Sequence, residues 1–275
     1  MKALTIAPDI EDLRLFDSCV TLGRVTRAGT PVSLTLDNVL EVMDKHDVAE
    51  ALVHSNEARM IAPRDVGNRR LLEWTGAVPR LHPQWVLTPP EPSDGKAARA
   101  MVEEMLAAGA RAARLLMGYA PPFHWLWRDL CEALEEHRVP AFLDFASTGW
   151  GPPFGSTASV PDAAAIDGLR EICLAHPGLP MILSNCVGGL GLAYPTLPLM
   201  RLAPNLHIDI TAVLQYWRTA ATELGPERVL FATGMPFTDP GTYVSNVQYA
   251  HEIDGEAKTM ISGGNLRRLL AEVRP

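Results

Sequence analysis

The chain has 275 residues, 47% of them hydrophobic, and a formal net charge of −8. That length and apolar share fit one sizeable α/β domain with a buried core. The acidic balance excludes a basic face of the kind that nucleic acid or an anionic membrane requires. At the N-terminus, Met1-Lys2-Ala3-Leu4-Thr5-Ile6-Ala7 runs directly into acidic residues, without the apolar run of a secretory signal or a membrane span. Cys19, Cys131, Cys173 and Cys186 show no CxxC spacing, so they read as reduced thiols and the chain as cytoplasmic.

In chain order, short apolar runs at 14–20, 50–54, 81–87, 112–117, 141–145, 181–184, 206–210 and 229–233 read as buried parallel strands. Helical spacing appears at 35–43, where Thr35 is a cap and Val39, Leu40 and Met43 share a face, and again at 94–108, 125–137, 162–176, 216–224 and 265–273. Strands alternating with helices in this number predict a (β/α)8 TIM barrel, for which about 250 residues is the usual size. An open doubly wound sheet is the rival, but no G-x-G-x-x-G opens a helix after the first strand. No repeat or low-complexity linker divides the chain, so residues 1–275 read as one domain. Gly149-Trp150-Gly151-Pro152-Pro153-Phe154-Gly155 follows the fifth strand as a loop over the barrel mouth.

Leu15-Phe16-Asp17-Ser18-Cys19-Val20-Thr21-Leu22-Gly23-Arg24 opens this barrel, and Arg228-Val229-Leu230-Phe231-Ala232-Thr233-Gly234-Met235-Pro236-Phe237 closes it. Between them stand His82-Pro83-Gln84-Trp85, Ala112-Ala113-Arg114-Leu115 and Ile182-Leu183-Ser184-Asn185-Cys186-Val187-Gly188-Gly189, with Gly263-Gly264-Asn265-Leu266 near the end. In order and spacing these segments resemble the amidohydrolase superfamily, in particular the branch with aminocarboxymuconate-semialdehyde decarboxylase and 2-pyrone-4,6-dicarboxylate lactonase. The resemblance covers nearly the whole chain. It implies a (β/α)8 barrel with its site at the C-terminal ends of the strands. It also implies a divalent metal on two histidines of strand one, on histidines after strands five and six, and on an aspartate after strand eight. The matching positions here hold Cys19, Thr21, Asp144, Asn185 and Gly234. Glycine has no side chain to offer, and threonine and asparagine are poor zinc ligands. No metal and no other cofactor is therefore expected. A re-chosen ligand set of Cys19, Asp144 and Cys186 is the alternative. Against it, free cysteines commonly serve as small buried hydrophobes, and Cys186 follows its ligand position by one residue, which in a strand turns its side chain away.

Without metal, chemistry must come from side chains at the same strand ends. Asp144 closes an apolar strand, where burial would fit its carboxyl for proton transfer. Arg114 ends the preceding strand, where it could hold a substrate carboxylate bidentately. An Arg114–Asp144 ion pair would instead satisfy both. His54, ending the second strand, is either a proton-transfer group or a histidine bonded to a loop. Cys19 is a nucleophile if a base such as His54 faces it in space. Asn185, Trp150 and Tyr119 are the further substrate-binding candidates, with Trp150 suited to cover a planar ligand, and His124 shares Tyr119's loop. Trp85 and Trp125 read as packing residues between strands and helices, Cys131 and Cys173 as helix packing. Asp239 reads as a turn residue before Pro240, and Asp209 as a strand-end carboxylate facing the mouth or bonding loop amides. His137, His176 and His207 are assigned to helix ends and connections.

Three readings of function follow. The first is a metal-independent hydrolase or lyase (a decarboxylase among them) acting on a small carboxylated substrate. The second is a catalytically inactive barrel kept as a small-molecule binding or partner protein. The third is a metallohydrolase using Cys19, Asp144 and Cys186. A homo-oligomer is the assembly that the resemblance implies.

Overall fold

The computed structural model describes residues 13–27, 30–60, 63–91, 94–117, 119–145, 163–184, 190–214 and 216–275. Its sheet runs β2-β1-β3-β4-β5-β6-β7-β8-β9. The strands are β1 (Leu15–Arg27), β2 (Thr30–Leu34), β3 (Val48–Ser55), β4 (Leu81–Leu87), β5 (Ala112–Leu116), β6 (Ala141–Asp144), β7 (Met181–Ser184), β8 (Leu206–Asp209) and β9 (Val229–Leu230). All neighbours pair in parallel except β1 and β2, which form an antiparallel hairpin. Eight parallel strands alternating with helices make a nearly closed (β/α)8 TIM barrel, a single domain, as the sequence pattern predicts.

Closure comes from the first and last strands. Ser18 donates its backbone N–H to Phe231 O and Thr21 donates to Met235 O, each at 3.0 Å. Asp17 reinforces the seam. Its Oδ1 accepts from Thr233 N at 3.0 Å and its Oδ2 from Thr233 Oγ1 at 2.5 Å.

The interior is layered, because side chains two residues apart on a strand share a face. The lower layer is apolar and packs Phe16, Leu52, Ala112, Phe142, Ile182 and Leu230 together. Two residues further along their strands, Leu52, Ala112, Phe142 and Ile182 are followed by His54, Arg114, Asp144 and Ser184, all buried. The same step that makes a strand buried therefore lifts a polar residue to the mouth.

The outer helices follow ordinary rules. Thr35 caps Leu36–Lys45 by accepting from Asn38 N, and Val39 and Met43 face inward. Cys131 and Cys173 are buried in their helices, as expected of packing residues, and Trp85 is buried likewise. Trp125 is not. It is 69% exposed and stacks on Phe123 with ring centroids 5.8 Å apart. It stands in the first turn of His124–Glu136, whose inward stripe is taken by Trp127, Leu130, Cys131 and Leu134. His207 also departs from its assignment, since it lies within β8. Asp239 caps Pro240–Gln248 by accepting from Gly241 N, which is the turn role expected. Among the described residues no helix is long and apolar enough to cross a membrane.

Candidate active site

The polar layer centres on Arg114, which β5 carries into the barrel with no exposed surface. Its Nε donates to Gln84 Oε1 at 2.7 Å and its Nη1 to Asp144 Oδ2 at 2.9 Å. Its Nη2 donates to Ser184 Oγ at 3.2 Å and to Cys19 Sγ at 3.4 Å. One guanidinium thus ties the ends of β1, β4, β6 and β7 together. The Arg114–Asp144 ion pair weighed from sequence is present.

A second arginine, which sequence reasoning missed, completes the cluster. Arg59 lies in the short helix Asn56–Met60 that follows β3. Its Nε donates to Asp144 Oδ2 at 2.8 Å and its Nη2 to Asp144 Oδ1 at 3.3 Å. Asp144 therefore bridges two guanidinium groups, and the trio carries two positive charges against one negative. Among the described residues, Arg59 Nη1 has no hydrogen bond. The signal in the sequence was an arginine five residues beyond a strand-end histidine, which no local motif marks.

His54 faces Thr21, with Nε2 and Oγ1 3.0 Å apart, and its Nδ1 is buried with no partner among the described residues. Burial, and then the charges of Arg114 and Arg59, hold the imidazole well below its usual value, so it is neutral at physiological pH. Cys19 turns to Arg114 instead, and its N–H donates to Asp17 Oδ1. No hydrogen bond joins Cys19 to His54 among the described residues. Burial pushes the Cys19 thiol up to about 12 even beside Arg114, so it stays protonated and poorly nucleophilic.

Two further carboxylates border the layer. Asp17 is pushed up to about 7, chiefly by burial and against its hydrogen bonds to Thr233 and Cys19. Asp209 also lies above the usual range because of burial. Its Oδ1 accepts from Thr211 N, Thr211 Oγ1 and Ala212 N, while Ser184 and Arg114 act on it from the mouth layer, so it combines the two roles weighed from sequence.

Tyr119 stands apart from this cluster. It is half exposed and lies under Arg64, whose guanidinium carbon sits 4.2 Å from the ring centroid. The pair lines a cleft of about 440 Å³ with Trp85, Leu87 and Met101. Asn185, Trp150 and Cys186 lie outside the described residues.

Among the described residues, the side chains at the metal positions that the resemblance marks already have other partners. Cys19 and Asp144 are joined by the two terminal arms of the Arg114 guanidinium, so both already face a cation. Thr21 is engaged by His54. Gly234 has φ +68°, and a Cβ there would meet Thr238 Oγ1 at 3.2 Å. Among the described residues no group of three histidines, cysteines or acids converges.

A parallel barrel with charged side chains gathered at its C-terminal strand ends defines the class of (β/α)8 proteins that work at that face. The sequence matches the Amidohydrolase family over residues 31–271, and the chain belongs to that family. No curated protein matches it in sequence. Among solved structures it is similar to an uncharacterized TIM-barrel protein from Bordetella bronchiseptica, with TM-score 0.72 and 18% identity over 94% of this chain and 98% of that one. It is similar to 5-carboxyvanillate decarboxylase from Sphingomonas paucimobilis, with TM-score 0.68 and 16% identity over 94% and 99%. A third is 2,6-dihydroxybenzoate decarboxylase from Rhizobium, with TM-score 0.65 and 19% identity over 94% and 98%.

Proposed function

We propose that the chain is a metal-independent enzyme of hydrolase or decarboxylase type acting on a small carboxylated substrate, with decarboxylation of an aromatic carboxylate as the specific activity. Family membership supports an enzyme of this type, and the decarboxylase neighbours direct attention to carboxylated aromatics. The observation that carries the reading is the Arg59–Asp144–Arg114 cluster, two guanidinium groups on one carboxylate buried at the working end of the barrel.

Within it, Arg114 is fully engaged and cannot grip a ligand with its Nε or Nη2 donors. Arg59 keeps Nη1 for that purpose, and Asp144 fixes its orientation from below. Asp144 is thereby a positioning group, with both oxygens committed to arginines. Proton movement falls to His54, whose Nδ1 has no partner among the described residues and whose Nε2 is oriented by Thr21. In decarboxylation the ring–carboxyl bond breaks, carbon dioxide leaves, and a proton is delivered to the ring carbon. The electron pair of that bond stays on the ring carbon, and the proton it takes comes from solvent through Thr21 and neutral His54, which gives up one proton as it accepts another.

The mutual saturation of Arg114 and Asp144 favours a second reading, a barrel that binds a carboxylate without turning it over. One experiment separates them. Benzoate and hydroxybenzoates are screened for stabilisation of the chelator-treated protein, and carbon dioxide release is followed with those that bind. Binding lost in Arg59→Met, with release lost in His54→Gln, is the expected result. Binding with no release would leave the second reading standing. No binding by any carboxylate would sink both.

A further inference from the structure

We infer that Arg114 is the resident cation of this barrel: its guanidinium fills the space between the ends of β1, β6 and β7 that a divalent ion would need, so the chain takes up no such ion there. This deepens the metal-independent reading above and concerns the same strand ends.

An ion held by Cys19 and Asp144 would sit about 2.3 Å from the sulfur and about 2.1 Å from the oxygen. Arg114 Nη2 is 3.4 Å from that sulfur and Nη1 is 2.9 Å from that oxygen, and both nitrogens hang on the same guanidinium carbon. The one guanidinium therefore bridges the sulfur and the oxygen that such an ion would have to bridge. Ser184, the residue before Asn185, is taken by the same Nη2. Gln84 fixes the remaining edge through Nε, so the plane cannot swing aside without abandoning a buried hydrogen bond.

Charge points the same way. Arg59 and Arg114 both lie against Asp144, and an added divalent ion at this spacing would meet repulsion from both guanidinium groups. Arginine suits the post because its charge is permanent and its fork reaches several acceptors at fixed angles, which lysine cannot reproduce. A metal brings open coordination positions to a substrate, whereas this guanidinium spends its donors on the protein. Its contribution is a fixed field at the mouth and a rigid mount for Asp144, and through Asp144 for Arg59.

The test needs no substrate. The full chain is expressed with added zinc or manganese, purified without chelator and analysed for metal by elemental mass spectrometry. Melting of wild type and Arg114→Ala is then followed with guanidinium far below denaturing concentration, against sodium chloride at equal ionic strength. Wild type should carry substoichiometric metal and show no response to guanidinium. Arg114→Ala should melt lower and regain about 3 °C as guanidinium enters the vacated space. A full equivalent of metal in wild type would overturn the inference, as would an Arg114→Ala protein indifferent to guanidinium. If that variant does not fold, Arg114→Lys decides: a lowered melting temperature supports the fork, and one equal to wild type contradicts it. These readouts are independent of carboxylate binding, so the cation assignment and the proposed activity fail separately.

Discussion

Asp17 holds a proton that its neighbours in the unfolded chain would not. Its carboxyl titrates at about 7 in the folded protein against 3.8 for the free side chain, chiefly because burial penalises the anion. Between those values the folded state binds more protons than the unfolded one, so Asp17 makes stability fall as pH rises from about 4 to about 7. His54 acts in the opposite sense. Its lowered value means the unfolded state takes the extra proton below pH 6.5, so stability from this group rises with pH there. The two overlap, and a difference measurement separates them. Asp17→Asn keeps an oxygen for the Thr233 and Cys19 amides and removes the titration. Its melting temperature, measured against wild type from pH 4 to pH 8, should gain on wild type as pH rises. Parallel profiles would mean that Asp17 is ionised throughout.

At the scale of elements, the strand ends were readable and their connections less so. All eight barrel strands lie at or near the apolar runs, because parallel strands buried on both faces need continuous apolar sequence. The β1–β2 hairpin was not legible, since Arg24-Val25-Thr26-Arg27 reads as surface rather than core. Helix Arg64–Thr75 was missed because its sequence, Arg-Asp-Val-Gly-Asn-Arg-Arg, has a weak apolar stripe; its buried Asn68 instead bonds Val86 N and Val86 O. Helix Leu190–Leu202 carries Pro195 and Pro198 inside it, and proline in a sequence signals a break. The site divides in the same way. Arg114, Asp144 and His54 were visible as polar residues ending apolar strands. Arg59 was invisible because only the fold brings a residue 85 positions away onto Asp144.

The turn after β9 leaves little room for a side chain. The family aspartate position is Gly234, in the left-handed region at φ +68°. An aspartate there would carry a conformational cost of about 1 kcal/mol or more. Gly234→Asp is therefore expected to lower stability by about that amount in denaturant unfolding and to bring no metal with it. A variant as stable as wild type that holds zinc would show the turn to be permissive and the metal merely lost by substitution.

For the whole molecule, the barrel gathers a buried polar layer at its strand ends, and two guanidinium groups stand at its centre. The charge that an ion would supply is present as two buried guanidinium groups around Asp144. Pairs buried this deeply are costly to break from one side, which ties the fold to the site. Stability and ligand affinity should accordingly fall together in variants of Arg59, Arg114 or Asp144. The most direct measurement is calorimetric titration of benzoate into the protein freed of metal by chelation, repeated with zinc or manganese restored. Saturable binding that is the same with and without metal is the predicted result. Binding that appears only when metal is added would contradict the account.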